Sequence, residues 1–118
     1  MEKIFDSELK ILEILWREGE LSAKDLAEIT AREIGWSKTT TSTVLKKCVD
    51  KGVVRRQDPG FLCRALVSLE DIRADRTGEL VDRLYHGRTD YLVASLLSGG
   101  RLSREELENL KTMIQDME

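Results

Sequence analysis

Three capped, helix-periodic segments in the first fifty residues, a switch to short alternating segments around Asp58-Pro59-Gly60, and a return to helical spacing after Ser68 together predict the fold class. It is mainly α: a winged helix-turn-helix of three helices and a two-stranded wing, followed by C-terminal dimerisation helices. Residues 1–68 are expected to form the winged-helix domain and residues 69–118 the dimerisation region. A chain of 118 residues is sized for one compact domain with a small appendage.

Apolar residues at 5, 9, 12 and 16 predict the first helix, started at Asp6 or Ser7 and released at Gly19. Ser22 is placed to cap a second helix whose Leu26, Ala27, Thr30 and Ile34 share a face and which ends at Gly35. Ser37 caps a third, with Thr41, Val44, Leu45 and Cys48 on one side and Gly52 at its end. The segments VVRRQ and FLCRALV then flank the Asp58-Pro59-Gly60 turn as a hairpin. Beyond Ser68, Ile72, Leu80 and Leu84 mark a helix that stops at Gly87, with Gly78 a weak point midway. Thr89–Ser98 is a dense apolar segment, and Ser103 with Glu106 forms a capping box for the last helix.

The net charge of −3 conceals an uneven distribution. Residues 1–36 hold five basic and nine acidic side chains, residues 37–64 seven and two, and residues 65–118 seven and eleven. A basic middle between acidic flanks suits one segment that meets phosphates and others that meet protein and water. No apolar run approaches the roughly 20 residues that cross a bilayer, and the N-terminus lacks a signal-peptide core, so a cytoplasmic protein without membrane contact is expected. Cys48 and Cys63 stand apart with no CxxC or Cys/His cluster, so neither a disulfide framework nor a metal site is expected, and no cofactor is implied.

The third helix carries the functional signal. At 100° per residue, the arc opposite Thr41, Val44, Leu45 and Cys48 holds Thr39, Ser42, Thr43 and Lys46, with Lys38 and Lys47 at its edges. Thr and Ser are poor choices for an ordinary wet helix face, which favours Glu, Gln and Lys. Short hydroxyls let a helix backbone approach a major groove, bond base edges or phosphates, and pack a methyl on thymine. Thr39, Ser42, Thr43 and Lys46 are therefore the base-reading candidates. Ser22, Lys38, Thr40, Lys47, Lys51, Arg55, Arg56 and Arg64 are the phosphate candidates. The bland alternatives are a Thr-rich solvated face and edge-strand cations that block aggregation.

An enzyme reading finds no support: the sole histidine, His86, sits at a helix end as a capping or dipole-satisfying residue, and neither a GxSxG elbow nor a Walker loop is present. Trp16 is expected in the core and Trp36 packed at the start of the third helix, which leaves no aromatic supply for single-strand stacking. In the C-terminal region, Leu107, Leu110, Ile114 and Met117 form a narrow seam suited to another helix. With Leu80, Leu84, Leu92 and Leu96, the first three of these are the candidates for homodimerisation, which would set two reading heads on a double-stranded, pseudo-palindromic operator. The competing reading is a winged-helix protein-interaction module that binds no DNA.

The segments Glu8-Leu9, Ile14-Leu15-Trp16, Leu21 to Leu26, Trp36 to Leu45, Lys51-Gly52-Val53-Val54, Leu84-Tyr85-His86-Gly87 and Leu102 to Leu110 resemble, in that order, the bacterial penicillinase-repressor (BlaI/MecI/CopY) family. The resemblance spans nearly the whole chain and implies a dimeric repressor with its recognition helix at Ser37–Lys51. Relatives commonly carry alternating tyrosines where this chain has Phe61 and Cys63, and an arginine where it has Ser42. Some relatives are inactivated by cleavage at an Asn-Phe bond, which aligns here with Ser95-Leu96. Copper-responsive relatives carry a cysteine-rich tail, unlike the segment Met113–Glu118. No motif identifies an upstream sensor or protease.

Overall fold

Local capping chemistry and the burial of one face per helix set the architecture. The computed structural model describes residues 1–118, in the order α1 (Asp6–Glu18), β1 (Leu21–Ser22), α2 (Ala23–Glu33), α3 (Lys38–Asp50), β2 (Val54–Gln57), β3 (Leu62–Ala65), α4 (Leu69–Leu84), α5 (Thr89–Ser98) and α6 (Arg104–Met117). This is a winged helix followed by three further helices. No helix is long and apolar enough to cross a membrane.

The expected caps at Ser22, Ser37 and Ser103 are present, their hydroxyls accepting from the amides of Asp25, Thr40 and Glu106. The Glu106 carboxylate returns the bond to the Ser103 amide, and this holds its pKa below the usual range. A second reciprocal box, Ser68 with Asp71, opens α4. Helix α1 departs from expectation: its cap position is Phe5 rather than Asp6 or Ser7, because the Glu8 carboxylate folds back to accept from the Phe5 amide at 2.8 Å. Helix α4 runs through Gly78 without a break. His86 helps end it through its backbone, at φ +51, with an exposed imidazole.

The core of the first unit gathers Ile11, Leu12, Leu15, Leu26, Ile29, Val44, Leu45, Cys48, Val53, Val54 and Cys63. The buried face of α1 is thus Glu8, Ile11, Leu12, Ile14 and Leu15, while Phe5 is exposed and Leu9 and Trp16 lie at the edge. In α2 the buried residues are Leu26, Ile29 and Thr30, with Ala27 and Ile34 only partly covered. Trp16 packs on the core and donates its indole N–H to the Val67 carbonyl at 2.8 Å, and Trp36 also packs against the core. Between α2 and α3 the hydroxyls of Thr30 and Thr41 lie 2.6 Å apart, both buried.

The sheet has three strands rather than two, in the order β1-β3-β2 and antiparallel throughout. Leu21 faces Cys63 and Ser22 faces Leu62, so the link between α1 and α2 closes the inner edge of the hairpin. A strand of two residues carries no period, which is why the sequence reads there only as a helix cap.

The chain forms two compact units, Met1–Asp75 and Arg76–Glu118. The expected junction at 68/69 falls at the start of α4, and the division lies inside that helix. Within the second unit only Val81 is buried. Leu80, Leu84, Leu96, Leu107 and Ile114 are exposed, and Leu92 and Leu110 are half-buried.

Candidate nucleic-acid interface

Helix α3 is held by the back that the sequence predicts: Thr41, Val44, Leu45 and Cys48 are buried. That fixes its other side outward, and Lys38, Thr39, Thr40, Ser42, Thr43, Lys46 and Lys47 are all exposed. Every other helix whose first turn is described carries an acid there; α3 has none, and Lys38 stands in that turn. The partial positive charge of the helix N-terminus is therefore left uncompensated, an arrangement that favours an anionic partner.

The hydroxyls on this face are not equivalent. Thr43 Oγ1 donates to the Thr39 carbonyl at 2.9 Å, so its proton is committed and its methyl and lone pairs remain for a partner. Thr40 Oγ1 accepts from Ser37 Oγ at 3.1 Å. Lys46 approaches Asp50 at 4.0 Å, a loose and solvated pair of little energetic weight. Ser22 accepts from the Asp25 amide as the α2 cap and lies beside β3 of the wing, which leaves its proton and one lone pair for a partner.

In the wing, Arg55 and Arg64 are cross-strand partners and Arg56 faces Cys63. All three arginines are exposed. The Arg56 guanidinium stacks 4.3 Å from the centroid of the Phe61 ring.

Lys51 does not join this surface. Its ammonium is 2.7 Å from Glu8 Oε1, donates to the Lys3 carbonyl at 2.7 Å and sits 4.4 Å from the Phe5 ring centroid. The Lys51 side chain is 15% exposed and Glu8 is fully buried, with Glu8 Oε2 lacking any partner. A phosphate role for Lys51 would strip the only countercharge from a buried carboxylate, so its place is structural. No apolar periodicity announces a buried Glu8; its spacing of three from the Phe5 cap position was the available sign.

The cysteines are buried free thiols. Desolvation, with the nearby Glu8 charge, pushes the Cys48 pKa up to about 12, and burial raises that of Cys63 against the opposing influence of Arg56. Neither is a reactive or metal-binding thiolate at neutral pH.

The penicillinase repressor family model matches residues 4–116. The chain belongs to that family. It is 22% identical to the penicillinase repressor of Bacillus licheniformis over 116 residues, covering 97% of this chain and 91% of the relative. It is 25% identical to the methicillin resistance regulatory protein MecI of Staphylococcus aureus (strain N315) over 114 residues, covering 95% of this chain and 93% of that one. Among solved structures, the solution structure of the DNA binding domain of the repressor BlaI superimposes with a TM-score of 0.54 at 22% identity, over 60% of this chain and 93% of that domain. That likeness establishes the winged-helix fold.

The Ser95-Leu96 bond lies inside α5, where the Ser95 carbonyl accepts from the Gly99 amide.

Proposed function

We propose that this penicillinase-repressor family member is a transcriptional repressor that binds a pseudo-palindromic double-stranded operator as a homodimer. The observation that carries the reading is the outward face of α3, seven exposed Lys, Thr and Ser side chains without an acid among them, set beside three wing arginines that form no ion pair within the chain. Thr39, Ser42, Thr43 and Lys46 read bases; Lys38, Thr40, Lys47, Ser22, Arg55, Arg56 and Arg64 hold phosphates. Dimerisation rests on the second unit, where a single buried residue cannot offset the entropy of ordering three helical segments, while Leu80, Leu84, Leu92, Leu96, Leu107, Leu110 and Ile114 supply the apolar surface for a second copy.

The deciding experiment is titration of duplex DNA against salt. Alanine at Lys38, Lys47, Arg55 or Arg56 is expected to weaken all duplexes about equally and to lower the slope of log affinity against log salt by about one unit each. Affinity that ignores salt, or four unchanged slopes, overturns the DNA reading in favour of a protein-interaction module.

Base reading has its own signature. Thr43→Ala is expected to lose about 1–3 kcal/mol on the cognate duplex and much less on random DNA. Because the Thr43 proton is bonded within the helix, Thr43→Val, which keeps a methyl, should retain discrimination if that methyl packs on thymine. Equal losses on both duplexes at fixed salt remove Thr43 from the base-reading set.

A further inference from the structure

The turn between α2 and α3 is organised around one residue. The Thr30 carbonyl accepts from the amides of Ile34 and Gly35 at 2.9 Å each and of Trp36 at 3.3 Å, which ties the turn to α2. Its hydroxyl crosses to the far side of the turn and meets Thr41 Oγ1 of α3 at 2.6 Å. Thr30 is fully buried and Thr41 is 2% exposed, so bulk water does not compete for either hydroxyl.

Two hydroxyls bring two protons to three contacts: the bridge itself, the Ala27 carbonyl 3.1 Å from Thr30 Oγ1, and the Ser37 carbonyl 3.1 Å from Thr41 Oγ1. Either Thr30 donates across and Thr41 donates to Ser37, or Thr41 donates across and Thr30 donates to Ala27. The bridge is made in both arrangements. Val44, Leu45 and Cys48, the rest of the buried back of α3, pack mainly by apolar contact, which is non-directional and tolerates a small slide or roll of a helix. A hydrogen bond does not, because it weakens steeply with angle. This one stands within two positions of Thr39, Ser42 and Thr43, and its Thr41 end reaches the carbonyl of the Ser37 cap.

We propose that Thr30 and Thr41 are positioning residues for base reading: their bridge sets the pose of the first half of α3 against α2, and through it the sequence discrimination of Thr39, Ser42 and Thr43. Neither touches DNA. A recognition surface must hold its side chains to about 0.5 Å, a tolerance that a slipped helix exceeds. The inference rests on the DNA-binding reading and adds to it the part that aims the reading face.

The test separates the hydroxyl from the methyl. A cognate duplex is recovered from a random-sequence pool by the full-length protein, and its affinity is compared with that of a scrambled duplex at fixed salt, below every melting temperature. In Thr30→Val or Thr41→Val the surviving hydroxyl still donates to its own helix carbonyl, so the bridge alone is lost. Each is expected to lower the cognate-to-scrambled ratio about tenfold, the size of one misread position, with the salt slope unchanged because no phosphate contact is removed. The double valine variant should fall no further, since both changes break the same bond. Thr30→Ser, which gives up a buried methyl and keeps the hydroxyl, should lower the melting temperature and hold the ratio. An unchanged ratio in both valine variants, a double variant that loses about a hundredfold, or a Thr30→Ser ratio that falls as far as that of Thr30→Val overturns the proposal while leaving DNA binding intact. A pool from which the wild-type protein recovers no salt-dependent duplex overturns the DNA-binding reading itself.

Discussion

Lys51→Met is expected to lower the stability of the first unit by about 3 kcal/mol, the lower end of the range for removing one partner of a buried ion pair. Glu8 is fully buried, one of its oxygens already lacks a partner, and Lys51 supplies the only opposing charge on the other. The same change frees the Lys3 carbonyl and uncovers the Phe5 ring, loosening the segment that leads into α1. In a domain of this size such a loss should lower the melting temperature by more than about 10 °C. The double variant Glu8→Leu, Lys51→Met should recover much of it, because no uncompensated charge remains in the core. The competing account makes Lys51 a phosphate contact. It predicts an unchanged melting temperature and a salt slope reduced by about one unit, and that pair of results would refute the structural assignment.

Leu107→Asp and Leu110→Asp should each convert the protein to a 13.5 kDa monomer at micromolar concentration. Both residues lie on α6, whose apolar seam continues through Ile114 to an 86% exposed Met117. A carboxylate in a helix-helix seam must be desolvated without a partner, which opposes association by several kcal/mol. Losing the linked second reading head should weaken operator binding on the order of a hundredfold through the lost effective concentration. The melting of the first unit should not change, since neither residue belongs to it. Sedimentation of the wild-type chain as a monomer, or an aspartate variant that remains dimeric with full affinity, would sink the dimer proposal.

Where a single physical rule decides the outcome, the sequence was a sufficient guide. Ser22, Ser37 and Ser103 cap because a hydroxyl at that position finds an orphan amide, and the back of α3 is buried as its spacing demands. Sequence is a weaker guide where two rules compete. In α1 the apolar residues 5, 9, 12 and 16 suggested one face, yet the core selected the neighbouring one that contains Glu8, because an ion pair with Lys51 makes that carboxylate tolerable inside. The place of Lys51 is hidden for the same reason: its partner is 43 positions away in sequence, and no local pattern connects them. Strand β1 leaves no trace in the sequence because its pairing with β3 is set by tertiary contact alone. Among the base-reading candidates, the bond from Thr43 to the Thr39 carbonyl is a geometric detail of α3 that residue type does not specify.

Both thiols of the chain lie in the first unit, Cys48 on the back of α3 and Cys63 in the central strand, each without measurable exposure. A labelling reagent reaches them only when that unit opens, so the rate at which the native protein is alkylated is a clock for the opening of the reading head. The second unit has no cysteine and is silent in such an experiment. The chain therefore carries a built-in probe that reports the breathing of the first unit alone, without any introduced label.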